Sequence, residues 1–216
     1  MAQEIAGLAP SGSPIEARFN EKGALWVADH MPQGAEASKN GDRFMLGYSA
    51  AVTGIANVSA VPTTATMWAI ANADPTNSYF LEEIGVYLTS GTPGVGGILI
   101  GCLFRTPLAP TSDTGISVVN TNPNSAKVSK AIVKSAQTVT ASQGGVAAPT
   151  WYTLASNSSP NVTAFAGSTF LEHRALAGRI TIPPSWSLGL HVVAPAGTSP
   201  LFAPFGMWVE KAGVNP

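Results

Sequence analysis

Residues 176–210 of the chain read LAGRITIPPSWSLGLHVVAPAGTSPLFAPFGMWVE. Proline- and glycine-rich breaks divide this stretch into three apolar runs, at residues 176–182, 186–194 and 205–210. Pro183 and Pro184 lack a backbone donor and have a fixed φ, so the first run cannot continue through them as a central strand. Each run is too short for an ordinary helix and has the length of a strand. The stretch therefore predicts a compact antiparallel β unit.

The composition of the whole chain favours the same class of fold. Only 11% of the 216 residues are charged and 45% are hydrophobic, which excludes disorder driven by high charge. The 22 glycines and 17 prolines indicate many short elements joined by turns. We expect an all-β chain, an antiparallel β-sandwich or jelly roll with about ten short strands and very little helix. Residues 1–18 are predicted to form an extended arm, and residues 19–216 a single sandwich domain.

Two apolar runs near the middle of the chain predict a hairpin. Residues 79–89 form one strand candidate and residues 98–105 the next, joined by a flexible glycine-rich connection. These glycines are not followed by the helix and lysine of a phosphate-binding loop, so the hairpin is the better interpretation. Just before the hairpin, Asp74 and Pro75 predict a β-turn, because Asp accepts from the backbone two residues on and Pro presets φ.

Residues 127–135 are compatible with either a helix or a strand. Lys127, Lys130 and Lys134 are three and four residues apart, which places them on one face of a helix. Ile132 and Val133 are β-branched and suit a strand equally well. Both alternatives stay open, and a turn or two near these residues is the most helix that we expect.

No pattern in the sequence is typical of a catalytic or metal site. The three histidines, His30, His173 and His191, are scattered, and the Gly-x-Ser-x-Gly motif is absent. The single Cys102 and three separate histidines do not supply the clustered ligands that zinc needs. We therefore expect no enzyme activity, no metal and no cofactor.

Glu82 and Glu83 stand in the middle of a strand candidate. Adjacent strand residues point to opposite faces, so one carboxylate would share a face with bulky apolar groups. A buried carboxylate is costly unless it is paired. We predict that these residues form a structural ion pair, for which Arg43, Arg105 and Arg179 are the available partners, or an interface contact.

The charge-poor composition predicts association between copies of the chain. A formal net charge of −1 gives no general attraction to nucleic acid or to an anionic membrane. Symmetric association is one way to cover apolar surface in a chain with few charges. The candidate self-association or core contacts are Phe202, Phe205, Met207 and Trp208, and we expect Trp208 to be buried. The first residues lack the pattern of a secretory signal, so we expect synthesis in a cytoplasm.

Two local patterns resemble virion proteins. The passage EIGVY at residues 83–87, a glycine-rich turn, and GILIG at residues 97–101 resemble a strand–turn–strand passage of bacteriophage tail-collar and fibre proteins. The passage ITIPPSWSLGL at residues 180–190 is similar to late strands of viral and tumour-necrosis-factor-like jelly rolls. The resemblance implies a non-enzymatic protein of the phage virion that forms a homotrimer and decorates or stabilises the capsid. Its partners would then be its own copies and other virion proteins, such as the major capsid protein. The alternative is a carbohydrate- or receptor-binding tail or fibre module.

Overall fold

A computed structural model describes most of the chain. It covers residues 34–48, 52–92, 97–105, 111–139, 149–157, 171–195 and 198–212, and the backbone alone of short strands within residues 7–27 and at 141–142. By its contacts the chain divides into two compact units, Met1–Glu36 and Ala37–Pro216. Most of the predicted arm at residues 1–18 lies outside the described residues.

The first unit contains two short antiparallel strand pairs. They are β1 (Gly7–Leu8) with β2 (Pro14–Ile15), and β3 (Ala17–Phe19) with β4 (Leu25–Val27). The expected boundary after residue 18 falls inside β3.

The second unit is an antiparallel β-sandwich, as the sequence predicts. In chain order the further elements are α1 (Ala35–Lys39), β5 (Arg43–Tyr48), β6 (Ile55–Ala56), β7 (Trp68–Asn72), β8 (Asn77–Thr92), β9 (Gly97–Arg105), β10 (Ile116–Asn120), β11 (Ala131–Ser135), β12 (Ala141–Ser142), β13 (Tyr152–Asn157), β14 (Leu171–Ile182), β15 (Ser187–Val193) and β16 (Thr198–Ala212). The first sheet has the order β10-β5-β16-β8-β14, with β6 also paired to β16. The second sheet has the order β11-β7-β15-β9-β12, with β13 also paired to β9. Buried apolar side chains from both sheets form one core between them.

The long-range strand pairs follow the pattern of one long hairpin wrapped around the core. β5 pairs with β16, β7 with β15, β8 with β14 and β9 with β13, all antiparallel. Among these eight strands the first therefore pairs with the eighth, the second with the seventh, the third with the sixth and the fourth with the fifth. This is the strand order of a jelly roll.

The wrapped pattern overturns two of the predicted local pairings. β8 and β9 are not a hairpin, because β8 belongs to the first sheet and β9 to the second. The three carboxyl-terminal runs likewise alternate between sheets as β14, β15 and β16, and β8 separates β14 from β16. The short connections at these points cross from one sheet to the other instead of closing hairpins.

Of the helix and the strand left open for residues 127–135, the structure forms the strand. This stretch contains the strand β11, in which the β-branched Val133 is fully buried and pairs with Ile70 of β7. The short helix α1 lies elsewhere, at Ala35–Lys39. The turn prediction at Asp74 is confirmed, because its Oδ1 accepts hydrogen bonds from the Thr76 and Asn77 amides at 2.8 and 3.0 Å.

Buried polar side chains join the two sheets through backbone carbonyls. The indole Nε1 of Trp68 in β7 donates to the Phe202 carbonyl of β16 at 2.9 Å. The Nδ2 of Asn72, at the end of the same strand, donates to the Ile182 carbonyl of β14 at 2.9 Å. Each bond satisfies groups that would be costly to bury unpaired. The two bonds therefore fix the position of β7 against the first sheet.

The chain itself covers part of the outer face of the second sheet. Cys102 and Phe104 of β9 are buried there with Ala69 and Val139, and Trp151 packs against them. A Cβ added at Gly189 of β15 would lie 2.3 Å from the Cγ2 of Thr66, so this close cover requires glycine. Because both faces are covered, all five residues of β7 are buried.

Pro204 lies inside β16, a strand with neighbours on both sides. The Glu210 amide donates to the Asp42 carbonyl, so even-numbered residues of β16 direct their backbone groups toward β5. The ladder between β16 and β5 covers Met207–Val209 only, so it does not reach Pro204. The missing amide of Pro204 therefore breaks no pair, and the Tyr48 hydroxyl donates to its carbonyl.

Trp208→Ala tests how much the central strand contributes to stability. Trp208 is fully buried and stacks on Tyr79 with 5.9 Å between ring centroids. We expect the substitution to lower the free energy of unfolding by about 3–5 kcal/mol, measured by chemical denaturation. Val128→Ala is the matched control, because Val128 is 83% exposed and should change stability by less than about 0.5 kcal/mol. Equal effects of the two substitutions would contradict the burial of Trp208.

Candidate functional site

The outer face of the first sheet carries a row of apolar side chains. In β5, Phe44 and Leu46 are buried in the core, so the alternating residue Met45 faces outward. Met45 is opposite Val119 of β10 on one side and opposite Met207 of β16 on the other. Val119 is 41% exposed. The row therefore crosses three neighbouring strands.

Aromatic side chains extend this row along the strands. Phe205 of β16 is half-buried and lies opposite Gly85 of β8, which has no side chain. Tyr87 lies one step further along β8, and its ring meets the edge of the Tyr48 ring at 5.4 Å between centroids. We call Met45, Tyr87, Val119, Phe205 and Met207, together with Tyr48, which reaches Tyr87 from the end of β5, the outer patch.

The predicted contact residues of β16 divide between the two faces of the strand. Phe205 and Met207 belong to the outer patch. Phe202 and Trp208 point into the core between the sheets and are fully buried. The odd- and even-numbered positions separate because strand side chains alternate. Only Phe205 and Met207 can therefore contribute to an external contact without rearrangement of the core.

A β-bulge lies at Glu82 and Glu83 of β8. Leu81 is opposite Trp208 and Glu83 is opposite Met207, so Glu82 is an extra residue in its strand. Leu81 and Ile84 are both fully buried, so the inward phase shifts across the bulge. Both carboxylates consequently lie toward the outer face. The expectation that they point to opposite faces is wrong, because it assumed a regular strand.

Glu82 pairs with Arg43 at the border of the outer patch. The Arg43 Nε lies 2.5 Å from a Glu82 carboxylate oxygen, and both side chains are mostly shielded from solvent. Arg43 is in β5 and Glu82 in β8, so the contact passes over β16, which lies between these strands. The ion pair closes one end of the patch with a polar boundary.

A second surface feature is a cleft rich in carboxylates. It has a volume of about 450 Å³ and is lined by Asp42, Phe44, Asp74, Asn77, Lys127, Val128, Glu210, Lys211 and Ala212. Lys127 forms an ion pair with Asp42 at its edge. The residues come from β5 and the position just before it, from the turn between β7 and β8, from β8 and β16, and from the connection after β10. We call this feature the carboxylate cleft.

Two carboxylates of the cleft titrate in opposite directions. Burial raises the pKa of Glu210, and the nearby charges of Asp74 and Asp42 raise it further, against hydrogen bonds from Ser129 and Trp208. Burial also acts to raise the pKa of Asp74, but the hydrogen bonds from Thr76 and Asn77 outweigh it and lower that pKa to about 2. Relative to an ordinary carboxyl group, Glu210 is thus shifted toward its neutral form and Asp74 toward its anion.

The buried reactive side chains of the second sheet are held in structural roles. His191 is buried against Trp151, and its Nδ1 lies 3.1 Å from the Val192 carbonyl. Burial lowers the pKa of His191 and raises the pKa of the Cys102 thiol to about 12. Cys102 is therefore protonated and inaccessible near neutral pH. The side chains of His30 and His173 lie outside the described residues.

Within the described ranges, no group of three or more His, Cys, Asp or Glu side chains is arranged to hold a metal ion. No helix among the described residues has the length and apolar character needed to cross a bilayer.

The chain matches no protein-family model, no curated protein and no solved structure.

Glu210→Gln tests the buried carboxylate of the cleft. The raised pKa means that the neutral acid of Glu210 stabilises the fold below its unfolded pKa, near 4.5, and that this stabilisation is lost as the pH rises through the folded pKa. Glutamine keeps an oxygen that can accept from Trp208 and Ser129 but carries no charge. We expect the variant to be more stable than wild type at pH 7, with a difference that shrinks as the pH falls toward 4.

Denaturant midpoints at several pH values measure this difference. Glu36→Gln is the control, because it removes a carboxylate that is exposed at the surface. A Glu210→Gln variant that is less stable than wild type at pH 7 would show that the carboxylate anion, not the acid, stabilises the fold.

Proposed function

We propose that the chain is a non-enzymatic structural subunit of a bacteriophage particle, which associates with its own copies and with other virion proteins such as the major capsid protein. In this role it decorates or stabilises the capsid, and it is made in the host cytoplasm and located in the virion. The proposal combines the resemblance of residues 83–101 and 180–190 to virion proteins with the jelly-roll strand order. One fold class hosts many functions, and the function of this chain is therefore inferred from its surface.

The outer patch is the observation that carries the proposal. Its two methionines, one valine and three aromatic residues give it the composition expected at the centre of a protein interface. Its polar border, the Arg43–Glu82 pair, matches the charged rim of such interfaces. With 11 basic and 12 acidic residues, two copies of the chain have almost no net repulsion to overcome.

The carboxylate cleft favours a second candidate, a carbohydrate- or receptor-binding module. Its volume of about 450 Å³ falls within the range of small-ligand sites. Asp42 and Asn77 offer polar groups that can bond sugar hydroxyls, although the lining aromatic residue, Phe44, is buried. Specific binding of a glycan, abolished by Asn77→Ala and unchanged by Met207→Lys, would favour this candidate over the structural one.

Light scattering on the purified full chain tests self-association. We expect a homotrimer, with three times the chain mass of 22.1 kDa, at micromolar concentration. Met207→Lys places a charge at the centre of the outer patch and should shift the mass to that of the monomer. Val61→Lys is the matched control, because Val61 is 52% exposed in a connection away from the patch. A wild-type monomer across the concentration range would overturn self-association.

The virion location has its own test. Particles purified from the source of the sequence should contain the chain in stoichiometric amounts by quantitative peptide mass spectrometry, and electron microscopy should place it on the capsid. Particles that lack the chain would overturn the virion role and leave the self-association result unaffected.

A further inference from the structure

Most edge strands of the described sandwich are blocked against pairing with another strand. At the edge of the second sheet, Asp113 and Ser112 cap β11. The Asp113 amide donates to the Val133 carbonyl at 2.9 Å, and the Val133 amide donates to the Ser112 hydroxyl at 3.0 Å. The Ser135 amide donates to the Asp113 carboxylate at 2.7 Å, and Lys134 pairs with the same carboxylate at 3.0 Å. These contacts occupy the backbone groups that a new strand would need.

Irregular backbone blocks two further edges. In β14 the register jumps from Ala175, opposite Glu83, to Ile180, opposite Leu81, so residues 176–179 bulge from the ladder. This bulge contains Gly178 at a φ of 77° and the exposed, charged Arg179. In β13 the register shifts between Thr153 and Ala155. Bulges and charges of this kind are the usual protection of a sheet edge.

The edge strand β10 of the first sheet lacks these protections. Its sequence is ISVVN, with no charge and no proline, and its five residues pair with β5 without interruption. No other strand of the described residues lies beyond it. β10 is therefore a short, regular and uncharged edge, which is the kind that pairs with another chain.

One hydrogen bond fixes which backbone groups of β10 are available. The Thr121 amide donates to the Arg43 carbonyl at 3.0 Å, and these residues continue the register of β10 and β5. Because hydrogen-bonded and non-bonded pairs alternate in an antiparallel ladder, Val119 and Ser117 bond to β5. The amide and carbonyl of Val118, between them, point away from β5 toward the open edge.

We propose that β10 pairs antiparallel with β10 of a second copy about a twofold axis at Val118, so that the first sheet continues across two molecules. The proposal rests on the self-association proposed above and adds a second contact to it. Because a twofold contact cannot close a trimer, β10 joins copies that belong to different trimers, at concentrations above those at which the trimer itself forms. The partner is a second copy because a strand that pairs with β10 must itself have an open edge. Among the described strands of regular length, β10 alone has one, and an uncharged strand does not repel its copy.

The twofold pairing sets the contacts across the axis. Val118 exchanges both backbone hydrogen bonds with Val118 of the second copy. Ser117 then faces Val119 of the second copy as a non-bonded pair, with a Cα separation of about 4.5 Å. Ser117 of the two copies are diagonal neighbours, about 7–8 Å apart. Val119 would place the apolar row of the outer patch next to the contact between the two β10 strands.

A cross-linking experiment with two full-length single-cysteine variants tests this register. Ser117→Cys and Val119→Cys are mixed in equal amounts, oxidised mildly and analysed on a non-reducing gel. The Cα separation of a facing pair allows a disulfide, whereas a diagonal pair is too far apart. We expect the mixture to form a disulfide-linked dimer at least about ten times faster than either variant alone. The native Cys102 is buried and should not react.

Two comparisons complete the test. Val61→Cys mixed with Thr63→Cys places cysteines at the same spacing on an exposed connection and should give only slow, random cross-linking. Val118→Pro removes the outward amide while leaving the bonds of Ser117 and Val119 to β5 in place. Introduced into both cysteine variants, it should abolish the fast cross-link while the circular dichroism spectrum stays that of the β-sandwich.

The outcomes separate this inference from the proposed function. Equal cross-linking in the mixture and in the single variants, together with wild-type association in light scattering, would overturn the β10 contact and leave self-association standing. A monomeric wild type at all concentrations would overturn both. If Val118→Pro unfolds the chain, the comparison between mixed and single cysteine variants still decides the question.

Discussion

The antiparallel ladder between β8 and β16 is the contact on which the sandwich depends. It runs from Thr198 opposite Thr92 to Ala212 opposite Asn77, and every other strand of the first sheet is attached through one of these two strands. Its partners are more than a hundred residues apart in the chain, so the ladder closes a long loop. Such non-local pairing predicts slow folding relative to helical proteins of this size. The buried stack of Tyr79 on Trp208 and the bond from Trp68 to Phe202 then hold this ladder against the second sheet.

Irregularities in this ladder determine what the surface displays. The bulge at Glu82 turns two adjacent carboxylates to the outside and lets Leu81 and Ile84 both enter the core. Without the extra residue, one carboxylate would be buried among apolar side chains, at a cost that pairing rarely offsets. Pro204 has no amide to donate toward β5, so the ladder between β16 and β5 cannot extend to this residue. The Tyr48 hydroxyl instead donates to the Pro204 carbonyl. Each of these two departures from a regular strand therefore sets the position of a polar or aromatic group on the outer face.

The sequence predicted the class of fold and most strands, but not which sheet each strand joins. Apolar runs and turn residues mark β8, β9 and β15 well, because these signals are local. A short glycine-rich connection serves a hairpin and a crossing between sheets equally, so the sheet assignment of β9 could not be derived. At β11 the lysine spacing indicated a helix and the β-branched residues indicated a strand. The structure forms the strand, in which Val133 is buried. For the surface, Met207 was found from its apolar run, whereas its neighbours Met45 and Val119 required the register.

In a chain with so few charges, the edges of the sandwich are protected mainly by geometry. Ser112 and Asp113 supply hydrogen-bonding groups to β11, and β14 is bent by a bulge that includes Gly178. A sheet edge that is left regular and uncharged is rare in a protein that must avoid unwanted strand pairing. The contrast between β10 and the other edges is therefore informative in itself. Among the described strands of regular length, β11, β13 and β14 are blocked by caps or bulges and β10 is not, and the proposed pairing of β10 with a second copy accounts for this difference.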